Sequence, residues 1–376
     1  MELQQERLRL LDVLRGFAIL GTLGTNIWIF AYLGDLTYVT TFDHDVWLPD
    51  DWLRMTVLFL VNGKLLGLLT IMFGAGLELK YRQALRRGKA WPGVYIWVSL
   101  VLLAEGLIHY TFVMEYDILM SYGATAIIAA FIVKGGDRLI SRTMIAIGSI
   151  HASLMLAILL LGLLGGNVSL GSFDEIIALY RDGTWLEQVR YRLSNFLVLR
   201  LEVILVIPMN VFLFLLGVRL MRAGAFASDE NGRRLRDKLF AVGIYAGLPL
   251  NLLLFVPGGA FDLTVRYLFA PLMSLGYIAL LGKMIQYTKW DRLWRLLEQV
   301  GQMSLSCYVM QNNVCSVLFY GWGLALGGKL NAPAVIAVWC CVSALQLAFA
   351  AVWFRRFRLG PMEALRKRAV AFLDSK

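Results

Sequence analysis

One histidine and three carboxylates lie close together in a chain that is 59% hydrophobic and contains only three histidines. They are Glu105, His109, Glu115 and Asp117, at the adjoining ends of two apolar stretches. Burying ionisable groups in such surroundings costs several kcal/mol unless they are paired or hydrated. This short segment is therefore the first candidate for a site of chemistry.

The spacing of these residues indicates what that chemistry would be. Glu105 and His109 are four residues apart, which places them on one face of a helix. A short connection then brings Asp117 close to His109 at the same end of a helical hairpin. A histidine oriented by a carboxylate can act as a general base near neutral pH. The alternative is an interfacial histidine that hydrogen-bonds to backbone.

Membrane-spanning helices must position these residues. The mean hydropathy is +0.66, and apolar runs of about 20 residues, the length needed to cross a bilayer, recur along the chain. This excludes a water-soluble globular protein. We predict an all-α, polytopic helical bundle that forms a single transmembrane domain over residues 1–376. The ten predicted spans are 11–33, 53–77, 92–112, 118–133, 144–164, 196–216, 239–256, 265–285, 305–324 and 333–354.

The positions of lysine and arginine predict the orientation. With the N-terminus inside, every segment expected to face the cytoplasm carries a basic cluster, which is the positive-inside pattern. Both termini are thus predicted to be cytoplasmic, with residues 361–376 forming a basic amphipathic tail on the inner membrane surface. The net charge of +10 then reflects topology and attraction to anionic lipids, and it indicates no nucleic-acid partner.

Polar residues also occur deep within the predicted spans. Asn26 lies eleven residues after Arg15, about 16 Å further into the membrane, and Lys64 lies near the middle of the second span. An amide or a lysine at such depth needs a partner or a wet cavity. Gly63 and Gly67 can loosen their helix locally, as in broken helices that line binding cavities. For Arg15, a simple interfacial ion pair with Asp12 is the alternative.

The ninth predicted span opens with small and polar side chains. Tyr308 and Gln311 can share one face of this helix, where they either contact a ligand or, as is commoner, hydrogen-bond neighbouring helices. The loop sequence Asp43-His44-Asp45 resembles a metal site, but adjacent loop residues rarely converge on one ion. We predict no metal. The four cysteines form no CxxC pair, so they indicate neither zinc nor a disulfide framework.

Two segments on the outer side complete the prediction. A partial apolar stripe over residues 171–192, which includes Tyr180, favours an amphipathic helix on the outer surface. Arg200 and Glu202 in the sixth span each need a partner on another helix, and Glu105 is one candidate partner for Arg200.

The order of these motifs resembles that of the bacterial YeiB-type membrane proteins, and the resemblance spans essentially the whole chain. The chain departs from the family pattern at Tyr116, Gln302, Ala364 and Arg366, where the family usually has Gly, Arg and two tryptophans. The matching stretches are 11–26, 64–76, 106–109 with 117–119, 301–311 and 357–363.

The YeiB group looks distantly similar to the lysosomal heparan glucosamine N-acetyltransferase and to bacterial membrane O-acyltransferases. This similarity implies transfer of an acyl group from cytoplasmic acyl-CoA, through the protein, to an acceptor on the far side of the membrane. Asn26 occupies the position where the heparan enzyme has a functional asparagine and the O-acyltransferases have a catalytic histidine. The resemblance also implies a multi-pass location in the bacterial inner membrane.

The leading hypothesis is therefore a transmembrane acyltransferase whose donor substrate is acyl-CoA, for example acetyl-CoA. The acceptor would be a hydroxyl or amine of an extracytoplasmic glycan, lipid or small molecule. His109, oriented by Asp117 and supported by Glu105, would act as the base, and Asn26 would stabilise the thioester oxyanion. The residues expected to contact acyl-CoA are Arg15, Lys64, Tyr308 and Gln311.

Other mechanisms and classes stay open. No serine or cysteine nucleophile motif is visible, so direct transfer is preferred to an acyl-histidine intermediate. The competing class is a transporter or exporter of a lipid-linked or small polar metabolite, in which Lys64, Glu105, His109, Arg200 and Glu202 form a polar pathway. A non-catalytic scaffold is the third class. Membrane lipids are partners in each case, and a homodimer is compatible with all three.

Overall fold

The computed structural model describes residues 2–40, 48–165 and 172–374, and no β-strand occurs in this described part of the chain. The predicted all-α polytopic fold is confirmed. The helical segments that are long and apolar enough to cross a membrane are Arg9–Ala31, Pro49–Arg86, Val94–Phe112, Gly136–Leu163, Val203–Ala223, Glu230–Phe255, Asp262–Tyr287 and Ala332–Trp353.

The helices are numbered in chain order. They are α1 Glu2–Ala31, α2 Pro49–Val61, α3 Lys64–Arg86, α4 Val94–Phe112, α5 Leu119–Lys134, α6 Gly136–Leu163, α7 Asp174–Asp182, α8 Trp185–Ser194, α9 Phe196–Leu199, α10 Val203–Ala223, α11 Glu230–Val242, α12 Leu248–Leu252, α13 Asp262–Thr264, α14 Ala270–Tyr287, α15 Asp291–Gln302, α16 Ser304–Phe319, α17 Ala332–Trp353 and α18 Pro361–Asp374.

Two of the predicted spans correspond to shorter helices. The fourth is α5 and the ninth is α16, each of 16 residues, which gives a length of about 24 Å. The cytoplasmic position of both termini stays a prediction. We call the end of the bundle near Lys80, Arg138 and Arg222 the basic end, and the end near Glu115 and Arg192 the outer end.

Several spanning segments are interrupted. The second one breaks at Asn62 and Gly63, as the glycine suggested, and Gly63 adopts a φ of +74°. A Cβ atom there would lie 2.5 Å from the carbonyl oxygen of Arg266, so only glycine fits this approach. The backbone also widens into π turns at Gly243–Gly247 and Val265–Phe269. Such turns occur frequently at functional sites.

Helices α4 and α5 form the tight antiparallel hairpin that the short connection predicted. Their backbones meet at two glycines. A Cβ on Gly106 would lie 2.4 Å from the backbone nitrogen of Met120, and a Cβ on Gly123 would lie 2.8 Å from that of Leu103. Small residues permit this close approach of helices in a membrane protein. The hairpin brings His109, near the end of α4, beside the start of α5.

The outer surface differs from the prediction. Residues 172–194 form two helices, α7 and α8, instead of one amphipathic helix. Thr184 lies between them and caps α8. Its hydroxyl oxygen accepts the backbone N–H of Glu187, and the carboxylate of Glu187 accepts the backbone N–H of Thr184. Tyr180 of α7 is fully buried. These helices form a cover over the outer end of the α4–α5 hairpin.

The C-terminal helix α18 packs against α4. The guanidinium of Arg366 donates to the carboxylate of Glu105, at 2.8 Å from Nε, and Glu363 accepts the backbone N–H groups of Leu305 and Ser306 at 2.9 and 3.3 Å. These two N–H groups belong to the first turn of α16, which has no intrahelical partners for them. Glu363 and Arg366 of α18 therefore face the bundle.

Candidate functional site

The centre of the site is the pair formed by His109 and Asp117. Nδ1 of His109 lies 3.1 Å from Oδ1 of Asp117, and both side chains are almost completely buried. The other carboxylate oxygen, Oδ2, accepts the backbone N–H of Met120 at 2.9 Å. This bond satisfies a donor in the first turn of α5 and holds the carboxylate in place. The two side chains that the sequence placed near each other are in contact.

The second ring nitrogen of His109 faces α16. Nε2 lies 3.2 Å from the amide nitrogen of Asn312, and the ring of Tyr308 lies 5.1 Å from the imidazole, measured between centroids. Sequence reasoning named Tyr308 but missed Asn312, although a spacing of four residues puts both on one helix face. Gln311 instead accepts a hydrogen bond from Gln346 of α17 at 3.0 Å.

Arg200 supports the carboxylate from outside the hairpin. Its Nη1 donates to the carbonyl oxygen of Asp117 at 2.9 Å, and its Nη2 lies 3.9 Å from Oδ2 of the same residue. The predicted pairing of Arg200 with Glu105 is therefore wrong. Glu105 lies one turn from His109 towards the basic end, where its carboxylate forms an ion pair with Arg366 of α18.

A cavity of about 630 Å³ opens beside the site at the basic end. Arg15 and Tyr308 line it, as do Ile118 and Leu119 at the start of α5. Of the charged lining residues, Arg15 pairs with Asp12 at 3.3 Å. Within the described ranges, the lining cations without an ion-pair partner are Lys80, Arg358 and Lys367.

A second, smaller cavity of about 60 Å³ lies towards the outer end. It shares Ile118 with the larger cavity, and its lining includes Asn26 and Asp117. Asn26 forms no side-chain hydrogen bond with any residue that the structure describes. The other polar residues that line this outer cavity are Thr22, Thr25, Asn62, Tyr116, Ser121, Arg200, Glu202 and Arg266.

Lys64 lines neither cavity. Its side chain is buried with 1% exposure, and Nζ lies 5.5 Å from the centre of the Phe59 ring, a cation–π distance. It has no carboxylate partner among the described residues. Of the four residues expected to contact acyl-CoA, Arg15 and Tyr308 line the larger cavity. Lys64 and Gln311 line neither cavity.

Glu115 belongs to the outer cover. Its carboxylate lies 3.3 Å from Nε of Arg192 and accepts the hydroxyl of Tyr180, with all three residues buried. Burial raises the pKa of the Tyr180 hydroxyl well above its ordinary value, and the charge of Glu115 raises it further. Glu115 therefore holds α7 and α8 in place and does not contact His109.

The described residues contain no group of three or more His, Cys, Asp or Glu side chains that could hold a metal ion. The loop sequence Asp43-His44-Asp45 lies outside the described ranges.

The fold and the site together define a polytopic helical membrane protein in which a buried histidine–aspartate pair lies beside two cavities that share Ile118. The family model described as "Protein of unknown function (DUF418)" matches residues 220–372. The protein YeiB of Escherichia coli (strain K12) is 30% identical over 96% of this chain and 95% of its own length. YxaH of Bacillus subtilis (strain 168) is 26% identical over 98% and 95%.

The chain belongs to the YeiB-type (DUF418) family, which confirms the resemblance seen in its motifs. No solved structure matches it.

Proposed function

We propose that the protein transfers an acyl group across the membrane, from acyl-CoA at the basic end to an acceptor hydroxyl or amine at the outer end. One observation carries this proposal. Asp117 lines the outer cavity, Tyr308 beside His109 lines the larger cavity, and Ile118 lines both. Two substrates that enter from opposite ends would therefore meet beside a single histidine–aspartate pair.

The larger cavity suits an acyl-CoA donor. Its volume of about 630 Å³ lies within the range of ligand pockets. Lys80, Arg358 and Lys367 have no carboxylate partner among the described residues and can bind the phosphates of CoA. Deeper in, apolar residues such as Leu69 and Phe73 line a channel for the pantetheine and the acyl group.

The transfer itself needs one proton acceptor and one oxyanion donor. The acceptor's O–H or N–H proton passes to Nε2 of His109 while its oxygen or nitrogen bonds to the thioester carbon. The C–S bond then breaks, and the CoA sulfur leaves as a thiol after taking up this proton. Asp117 holds Nδ1 and stabilises the imidazolium, as in other histidine–carboxylate pairs. Asn26, in the outer cavity, would donate to the oxyanion.

This mechanism requires one exchange of partners. In the structure the amide of Asn312 contacts Nε2 of His109. The hydroxyl or amine of the acceptor must replace this amide at Nε2 before its proton can be transferred. Glu105, Lys64 and Gln311 have no chemical step in the mechanism, because Glu105 is held by Arg366, Lys64 lies against the ring of Phe59 and Gln311 bonds to Gln346.

Release of free CoA thiol from acetyl-CoA by the purified protein tests the proposal, with and without outer-membrane and cell-wall extracts as acceptor. We expect His109→Gln to lower the rate by 10²-fold or more, the usual contribution of a general base. His151→Gln is the matched control. His151 is also buried, but its ring bonds to the backbone carbonyl of Tyr267 at 3.0 Å, and among the described residues it forms no ion pair with a carboxylate.

Absence of thiol release together with absence of saturable CoA binding would overturn the proposal. Equal losses in the two histidine variants would also count against it, because they would indicate a general effect on the fold. Saturable binding without any thiol release would favour the transporter hypothesis.

A further inference from the structure

We infer that the outer cavity is a binding site for a phosphate group, and that Arg200 and Arg266 hold this phosphate. In the setting of the proposed function, the acceptor is then a phosphate-bearing molecule. This identity of the acceptor rests on the proposed function. Phosphate binding itself can be tested without any acyl transfer.

The backbone around the outer cavity has the form of a binding site. Three chain segments lose regular α-helical geometry where they line it. These are the break at Asn62 and Gly63, the turn at residues 200–202 between α9 and α10, and the π turn Val265–Phe269 that carries Arg266. Irregular backbone at membrane depth is tolerated where it lines a polar cavity, and interrupted helices form the ligand sites of many transporters.

The unused hydrogen-bonding groups in this cavity include cationic donors. Nη2 of Arg200 and Nε of Arg266 are buried, and neither has a hydrogen-bond partner in the part of the chain that the structure describes. Arg200 uses Nη1 on the carbonyl of Asp117, and Arg266 has a 3.6 Å contact with Glu202 and a cation–π contact with the ring of Tyr267. The amide of Asn26 adds a further polar group without a partner in the described part of the chain. A ligand with several acceptor oxygens and a negative charge would satisfy these donors.

The two carboxylates of the cavity, Asp117 and Glu202, have partners other than the arginines. Asp117 contacts His109 and accepts the N–H of Met120, while Glu202 accepts the hydroxyl of Tyr267. Their contacts with the arginines are long, 3.9 Å from Arg200 to Asp117 and 3.6 Å from Arg266 to Glu202, which is beyond the length of a hydrogen bond. Arginine recognises phosphate through paired N–H donors in a fixed plane. The cavity therefore fits a phosphate better than a neutral hydroxyl compound.

The wall that carries Arg200 presents apolar side chains on the outside of the bundle. Arg200 and Val203 line the cavity, whereas the neighbouring apolar side chains Leu197, Leu201 and Ile204 are 59 to 80% exposed on the outside of the bundle. A phosphate on a lipid could enter through this wall with its chains along these residues. A phosphate on a soluble molecule would enter from the outer end. The chemistry at the arginines is the same for both sources.

Binding to the purified full-length protein in detergent tests this site. The probes are dihexanoyl phosphatidylglycerol, dihexanoylglycerol, which lacks the phosphate, and glycerol 3-phosphate, which lacks the chains. Calorimetric titration of each should show saturable binding only for probes with a phosphate. We expect Arg266→Gln to weaken this binding at least tenfold, the usual effect of losing a hydrogen bond between charged groups.

The matched control is Arg190→Gln. Arg190 is an exposed arginine on α8 at the same end of the molecule, so its replacement should leave the affinity unchanged. If Arg266→Gln does not elute as a folded protein, Arg266→Lys is used. It keeps the charge but loses the paired donors, and a severalfold weaker affinity is expected.

The results separate the two sources and can overturn the inference. Binding of the phospholipid alone assigns a lipid headgroup, and binding of glycerol 3-phosphate as well assigns a soluble phosphate. Equal binding of dihexanoylglycerol, or an unchanged affinity in folded Arg266 variants, would refute the phosphate site. Arg266-dependent binding without acyl transfer would refute only the proposed function, and transfer to acceptors without phosphate would refute only this inference.

Discussion

Replacement of Gly106 by alanine tests how the α4–α5 hairpin positions Asp117. The added Cβ would lie 2.4 Å from the backbone nitrogen of Met120 and 2.8 Å from Oδ2 of Asp117. Ordinary contacts of a Cβ atom begin near 3.4 Å. Because the nearer atom belongs to the backbone of α5 and cannot rotate away, the two helices must separate by about 1 Å.

The expected magnitudes follow from this displacement. Alanine is a better helix former than glycine by about 1 kcal/mol, while overpacking costs about 1–3 kcal/mol. The hydrogen bond from Met120 to Asp117 contributes about 1 kcal/mol more. The net loss in the free energy of unfolding is thus about 1–3 kcal/mol, which leaves the protein folded. Misplacement of a catalytic group by about 1 Å costs about 10²-fold in rate.

The assay combines thermal unfolding of the purified protein with release of CoA thiol. Gly162→Ala is the matched control, because a Cβ on this helical glycine in α6 would meet its nearest neighbours at an ordinary 3.4 Å. We expect the control to keep the rate of the parent protein and to be at least as stable, with a gain of up to about 1 kcal/mol from the better helix former. Unchanged or raised stability of Gly106→Ala together with a full rate would refute the positioning role of this contact.

Three further predictions concern other parts of the structure. Arg192→Met should lower the free energy of unfolding by about 3–5 kcal/mol because it leaves Glu115 buried without its cation, and adding Glu115→Gln should restore most of this loss. Thermal melting of the parent, the two single variants and the double variant measures this, and additive losses of the single variants in the double variant would contradict it. Glu363→Gln removes the carboxylate that caps α16 and should lower stability by about 0.5–2 kcal/mol, whereas a melting temperature equal to that of the parent would exclude the capping role. Lys80→Gln should weaken acyl-CoA binding about tenfold at low salt and less at high salt, since CoA phosphates are screened by ions; a loss independent of ionic strength would argue against a phosphate contact.

The sequence by itself determined the architecture and the identity of the central pair. Each membrane-spanning helix needs about 20 apolar residues in a row, a local property that can be counted along the chain. The break at Gly63 was also local, because a glycine beside a buried lysine weakens the helix at that point. His109 and Asp117 were placed together because a short connection joins the helices that carry them, which leaves little freedom in their relative position.

The tertiary structure alone decided which distant residues meet. Arg200 contacts Asp117 and not Glu105, and Glu105 pairs with Arg366, which lies 261 residues further along the chain. Asn312, rather than Gln311, reaches His109. Successive residues in a helix point about 100° apart, so a small rotation of one helix exchanges one side chain at an interface for its neighbour. That rotation is set by packing against several other helices at once, and no local pattern records it.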